Sequence, residues 1–146
     1  MSFPEGYFFI RNVYSGQVLD VKDGSTQEGA SIILWNRKAL LNDNQLWKYD
    51  DGFLINKKSG LVLEVKGASG GGSIRPDSEL VQGKRREPPT NINQLWAYNY
   101  DYIMPYDPKV CISAQGDNIK PGTKIVADVL IDFPNNPKQQ WMFDIE

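Results

Sequence analysis

Asn44-Gln45-Leu46-Trp47 decides how this chain is read, because its Gln-x-Trp core returns as Gln94-Leu95-Trp96 and as Gln139-Gln140-Trp141. The tryptophans of the three copies stand 49 and 45 residues apart and account for three of the four in the chain. Self-similarity at such a period marks a repeat architecture, in which each unit is too small to bury its apolar face alone and packs on its neighbours. The repeats fall at about 6–51, 52–101 and 102–146, within a single domain of 146 residues.

Working outward from the motif, the first repeat contains four short runs rich in β-branched and aromatic residues. They are Tyr7-Phe8-Phe9-Ile10, Gln17-Val18-Leu19-Asp20-Val21, Ser31-Ile32-Ile33-Leu34-Trp35 and Gln45-Leu46-Trp47-Lys48-Tyr49. Turn formers bound each run and no helical period competes, which is the signal for strands. The second repeat answers with Phe53-Leu54-Ile55-Asn56, Leu61-Val62-Leu63-Glu64-Val65, Glu79-Leu80-Val81 and the run through Trp96. The third has Tyr102-Ile103-Met104, Val110-Cys111-Ile112-Ser113-Ala114, Lys124-Ile125-Val126-Ala127 and Gln139-Gln140-Trp141-Met142-Phe143. Three units of four strands packed around a shared axis predict an all-β fold, the β-trefoil, in which closure also removes exposed sheet edges.

Composition narrows the function classes. A formal net charge of −2 argues against a general nucleic-acid binder. No apolar run approaches the roughly 20 residues of a membrane span, so no membrane insertion is expected. The chain has no His and a single cysteine, so Cys111 forms no internal disulfide and lacks the usual base for a thiolate nucleophile. A buried, small apolar role is expected for it. The N-terminus shows no leader pattern and the chain has no Asn-x-Ser/Thr acceptor, which leads us to expect a cytoplasmic protein. No metal-ligand cluster, cofactor motif or nucleophile–base pair is visible, so neither a cofactor nor an enzymatic activity is expected. The glycine-rich stretch at 67–73 lacks the Lys-Ser/Thr ending of a phosphate loop and reads as a connector. Lys84-Arg85-Arg86 reads as a solvated loop.

The run Leu19-Asp20-Val21, Gly29, Ile33-Leu34-Trp35 and Asn44-Gln45-Leu46-Trp47 resembles a repeat of the ricin B-chain-type lectins. Through the triple Gln-x-Trp the resemblance covers essentially the whole chain, and the compact, cysteine-poor form is most similar to small cytosolic fungal lectins. The resemblance implies a β-trefoil that binds galactose- or N-acetylgalactosamine-type glycans. It carries the sugar-contacting positions onto Asp20, Trp35, Asn44 and Gln45, with Asp23 in the next turn as a helper.

The chemistry suits those residue types. An aromatic ring stacks on the C–H face of a pyranose, a carboxylate accepts short charge-assisted bonds from its hydroxyls, and an amide both donates and accepts. Trp47, Trp96 and Trp141 read as core, whereas Trp35, beside the polar Asn36-Arg37-Lys38, reads as a surface platform. Each motif glutamine has two readings, holding neighbouring backbone or touching sugar. Asp20 points away from Leu19 and Val21, as either a ligand or a solvated carboxylate would. The second repeat offers Glu64, Gln82, Asn93 and Gln94 as a second site without a ring. The third, with Ser113, Asp128, Lys138 and Gln139, reads as structural.

One shallow site implies a Kd on the order of 1 mM. Avidity would then come from a homodimer or a second working repeat. The alternative function is a protease inhibitor or protein-binding module acting through the loops at 67–76 and 83–90.

Overall fold

A computed structural model describes residues 2–67, 74–106 and 109–146. The connector expected at 67–73 therefore lies, from residue 68 on, outside the described residues. Among them are twelve strands, β1 (Tyr7–Asn12), β2 (Val18–Val21), β3 (Ile32–Trp35), β4 (Trp47–Asp50), β5 (Phe53–Asn56) and β6 (Val62–Val65), followed by β7 (Ser78–Gly83), β8 (Trp96–Asn99), β9 (Tyr102–Pro105), β10 (Val110–Ala114), β11 (Ile125–Val129) and β12 (Trp141–Ile145). All pairings are antiparallel.

The first strand of each repeat meets the last of another. β1 pairs with β12 from Phe8↔Ile145 to Asn12↔Trp141 and with β4 at Phe8↔Trp47. β4 runs into β5 and β8 into β9 as tight hairpins. Trp96 N–H donates to Gly52 O and Trp141 N–H to Asp101 O, each at 2.8 Å, which continues the barrel from hairpin to hairpin. The remaining strands form three hairpins, β2–β3, β6–β7 and β10–β11, that close one end of the barrel. They touch one another through β7–β11 pairing and the bridges Ser31↔Val81 and Ile33↔Lys124. The chain is a β-trefoil.

The motif tryptophans are core residues, as expected, and their polar edge has a job. Trp47, Trp96 and Trp141 are at most 3% exposed. Each Nε1–H donates to a carbonyl of the second strand of its own repeat, Leu19 O at 3.3 Å, Leu63 O at 3.0 Å and Ile112 O at 3.0 Å. One side chain thus fills the core and ties the closing hairpin to the barrel wall, satisfying a buried donor in the process. Phe3 was not singled out by the repeat pattern. It stacks on Tyr49 with ring centroids 4.2 Å apart and contacts Tyr98 and Phe143 at 5.6 and 5.1 Å. One ring from each repeat thus converges on it, and the pseudo-threefold axis is sealed by a residue outside the repeats.

Two strand expectations need correction. The fourth strand of each repeat begins at the tryptophan, because Asp43–Gln45, Ile92–Gln94 and Pro137–Gln139 form single 3-10 turns. The third strand of the second repeat extends beyond Val81 to Gly83. Cys111 is fully buried, in keeping with the expectation, and burial pushes its thiol up to about 12.

Candidate functional site

The 3-10 turn before each tryptophan turns its glutamine inward. Gln45 Oε1 accepts from Lys38 N–H at 2.9 Å, and Nε2 donates to Asp20 Oδ2 and to Asn36 O, both at 2.9 Å. Gln94 repeats the arrangement with Arg86 N–H, Glu64 Oε1 and Lys84 O at 3.0, 2.9 and 2.7 Å. Gln139 does so with Ile131 N–H, Ser113 Oγ and Val129 O at 2.9, 3.1 and 2.8 Å. Each amide clamps the loop that precedes it to the second strand of its repeat. Gln45 is fully buried with donors and acceptor engaged. Its amide holds neighbouring backbone and the Asp20 carboxylate.

In front of Gln45 lies a pocket of about 580 Å³ bordered by Asp20, Asp23, Trp35 and Asn44, four of the five residues expected there. Asp20 is only 4% exposed, so it is not the solvated carboxylate of the alternative reading. Burial pushes its carboxyl above the ordinary range, against the opposing pull of the Gln45 amide and the Lys38 ammonium. One amide bond leaves an ionised carboxylate with acceptor capacity to spare. Asn44, 2% exposed, donates through Nδ2 to Val21 O at 3.0 Å and accepts from Lys38 Nζ at 2.8 Å. Trp35 is 40% exposed and forms one wall, with Gly122 of the third repeat behind its ring. Asp23 sits on the rim in the left-handed region at φ +59°, a conformation Asp tolerates better than most residues.

Sequence reasoning missed the rest of the lining. Lys22 and Lys38 come from the first repeat, Lys58 from the turn after β5, and Leu41, 94% exposed at φ +51°, stands on the rim. Lys38 is close to Trp35 in sequence, and its neighbourhood could have drawn notice. Lys58 and Gly122 belong to other repeats, and no local pattern announces them.

The second repeat departs from expectation in an informative way. Trp35 pairs with Val18, and the residue paired with the equivalent Val62 is Gly83. Gln82 pairs with Leu63, as Leu34 pairs with Leu19, so Gln82 does not stand at the platform position. It is fully buried and donates to Ser25 O at 3.0 Å and Gln27 O at 2.9 Å, while its Oε1 accepts from Ser59 Oγ at 2.9 Å. Although Gln82 borders a pocket, its amide is committed to neighbouring protein groups.

A Cβ on Gly83 would overlap Glu64 Oε1, so the longer carboxylate occupies the space a platform would need. The Arg86 guanidinium then covers Glu64 at 3.1 Å, Asn93 Oδ1 at 2.6 Å and Thr90 O at 3.0 Å. Asn93 Nδ2 bonds Val65 O at 2.8 Å, as Asn44 bonds Val21 O. Glu64, Asn93 and Gln94 are brought together, but their polar groups are largely taken up by Arg86 and by the backbone. Arg85 is likewise engaged, with Asp50 at 2.9 Å and over the Phe53 ring at 4.1 Å. Two of the three cations in the 84–86 loop are therefore structural.

In the third repeat Ser113 stands where Asp20 does, and Asp128, paired with Cys111 as Trp35 is with Val18, stands at the platform position. This repeat has no carboxylate at the Asp20 position and no ring at the platform position.

Residues 2–76, which contain the whole first-repeat set, match the family described as ricin-type β-trefoil lectin domain-like. The chain belongs to this family. Among curated proteins, mucoricin of Rhizopus delemar is 50% identical over 60 residues, 40% of this chain and 41% of mucoricin. The match thus spans about two fifths of that relative's length.

Among solved structures, the mdaA-1 domain superimposes with a TM-score of 0.85 at 25% identity, covering 99% of this chain and 93% of that one. The C-half of an earthworm R-type lectin, solved with GalNAc, gives 0.78 at 20% identity over 98% of this chain and all of its own. The Macrolepiota procera ricin B-like lectin, solved with lactose, gives 0.76 at 19% over the full length of both chains. These last two likenesses carry the fold alone. Within the ricin-type lectin fold, the first repeat of this chain combines a buried carboxylate, an exposed ring and an amide in one pocket, and the other two repeats do not.

Proposed function

We propose that this protein is a non-enzymatic carbohydrate-binding lectin that recognises galactose- or N-acetylgalactosamine-type glycans through the first-repeat pocket. The observation that carries the reading is the half-exposed Trp35 ring beside the buried Asp20 carboxylate in one cavity, held in register by Gln45. The ring offers a stacking face for sugar C–H groups, and the carboxylate takes hydroxyl donors in a site partly shielded from water. Membership of the lectin family supports the reading, as do relatives solved with GalNAc and with lactose. Lys38, which now donates to Asn44, would share that bond with an incoming hydroxyl or turn outward. Gln45 acts here as a positioning residue and Asp23 as a rim residue.

A glycan array with the wild-type chain, Asp20→Asn and Trp35→Ala tests this. Binding of terminal galactose or N-acetylgalactosamine glycans by the wild type, and its loss in both variants with an unchanged melting profile, is the expected result. An array on which the wild type captures no such glycan overturns the proposal.

A further inference from the structure

We propose that the first-repeat pocket prefers acidic glycans, in which a carboxylate or sulfate on the sugar pairs with Lys22 and Lys58; the inference rests on the carbohydrate reading given above. Three lysines border this one pocket, in a chain whose net charge is −2. They are not equivalent. The Lys38 ammonium is engaged with Asn44 at 2.8 Å and faces Asp20. Lys22 and Lys58 make no ion pair with any carboxylate among the described residues.

The contrast with the preceding residue is direct. Lys57 turns to Asp43 and Glu146, while Lys58 crosses from the second repeat to the pocket of the first. Its Nζ lies over the backbone of Gly24, where an added Cβ would come within 2.7 Å of it. Gly24, itself at φ +62° and next to Asp23, thereby keeps the space into which this ammonium folds.

The pocket holds three ammonium groups against the carboxylates of Asp20 and Asp23, and the Asp20 charge is already answered by the Gln45 amide and by Lys38. A neutral sugar leaves Lys22 and Lys58 solvated by water. An anionic substituent gains charge-assisted hydrogen bonds from them. In a concave site, such a surplus also raises the local concentration of anions. Both lysines are exposed, so the gain is that of partly screened pairs, about three- to tenfold in affinity for the two together.

Calorimetric or NMR titration of the full chain with lactose, 6′-sulfolactose, 6′-sialyllactose and inorganic sulfate distinguishes the outcomes. The expected result is tighter binding of one or both acidic sugars than of lactose, by about three- to tenfold at low salt. The margin should vanish at about 1 M salt and in the Lys22→Gln/Lys58→Gln double variant, each compared with its own lactose affinity. Comparison of the sulfo and sialyl arms identifies which anion is read. Lactose binding with no gain from either acidic sugar overturns the inference and leaves the carbohydrate reading standing. Retention of the gain in the double variant also overturns it. Sulfate alone binding as tightly as the sulfated sugar would mean an adventitious ion only and overturns it too. Absence of binding to every sugar overturns both readings.

Discussion

Replacing Gln45 by Ala removes three hydrogen bonds at once and leaves Lys38 N–H, Asn36 O and the Asp20 carboxylate without their partner. A buried polar group left unsatisfied costs roughly 1–3 kcal/mol. Asn36 is exposed and Asp20 borders the pocket, so water can reach two of the three in part. The expected loss is therefore about 2–4 kcal/mol, a large share of the roughly 5–15 kcal/mol that keeps an ordinary domain folded. For a chain of this size that lowers Tm by about 10 °C.

Urea unfolding followed by tryptophan fluorescence measures the loss directly, since the three motif tryptophans are buried in the native core. Gln94→Ala and Gln139→Ala serve as internal comparisons, because each amide makes the same three kinds of bond. All three variants should lose similar stability. Only the first should weaken sugar binding, through the displaced Asp20 and Lys38. Near-wild-type stability of Gln45→Ala combined with complete loss of sugar binding would refute the clamp and make Gln45 a direct sugar contact.

Three further outcomes are expected. Because burial raises the Asp20 carboxyl above its ordinary value of 3.8, the charged form needed for hydroxyl bonds is lost on acidification while the pH is still above that value. Lactose affinity of the wild type should then fall in that window, as a pH series of lactose titrations would show. Protonation there favours the folded state, so the Asp20 contribution to stability falls as pH rises through the same window, which a pH series of unfolding curves would show. Gly83→Ala should cost about 1–3 kcal/mol by displacing Glu64 from Arg86 and Gln94, and much less in a Glu64→Ala background, as a double-mutant cycle would reveal. Cys111, with its thiol pushed up to about 12, should resist iodoacetamide at about pH 8 until urea is added, as read by mass spectrometry.

The fold was legible because its signals are local and repeated. Three Gln-x-Trp motifs, each after matching apolar runs, place the core tryptophans and the number of strands. The pocket was legible where its residues belong to one repeat, as Asp20, Asp23, Trp35 and Asn44 do. Two kinds of information were not in the pattern. Lys58 and Gly122 reach the site through tertiary packing between repeats, and spacing within a repeat says nothing of that. The platform position in the second repeat depends on strand register across the long glycine-rich connection, and a slip of one residue moves a side chain to the other face. Pairing of Gly83 with Val62 sets that register and removes Gln82 from the site. Phe3 escaped notice for a similar reason, since its three ring partners come from three different repeats.

The difference between the first and second repeats lies in a coupled pair of positions. Where the carboxylate is Asp20, the position paired with Val18 has room for an indole, and Trp35 stands there. Where it is Glu64, one methylene longer, its Oε1 fills the space above the residue paired with Val62, and a side chain there would have to displace it. The longer carboxylate then reaches Arg86, whose guanidinium covers the groups that would otherwise face a ligand. In the first repeat the cation at the equivalent place is Lys38, a single ammonium on a flexible stem that touches Asn44 alone at close range. A planar, multidentate Arg is harder to displace from such a network than one ammonium. The same clamp, built on the same glutamine, therefore supports a pocket walled by a ring in one repeat and a pocket lined by an ion-pair network in the next, and the difference goes with the length of one carboxylate.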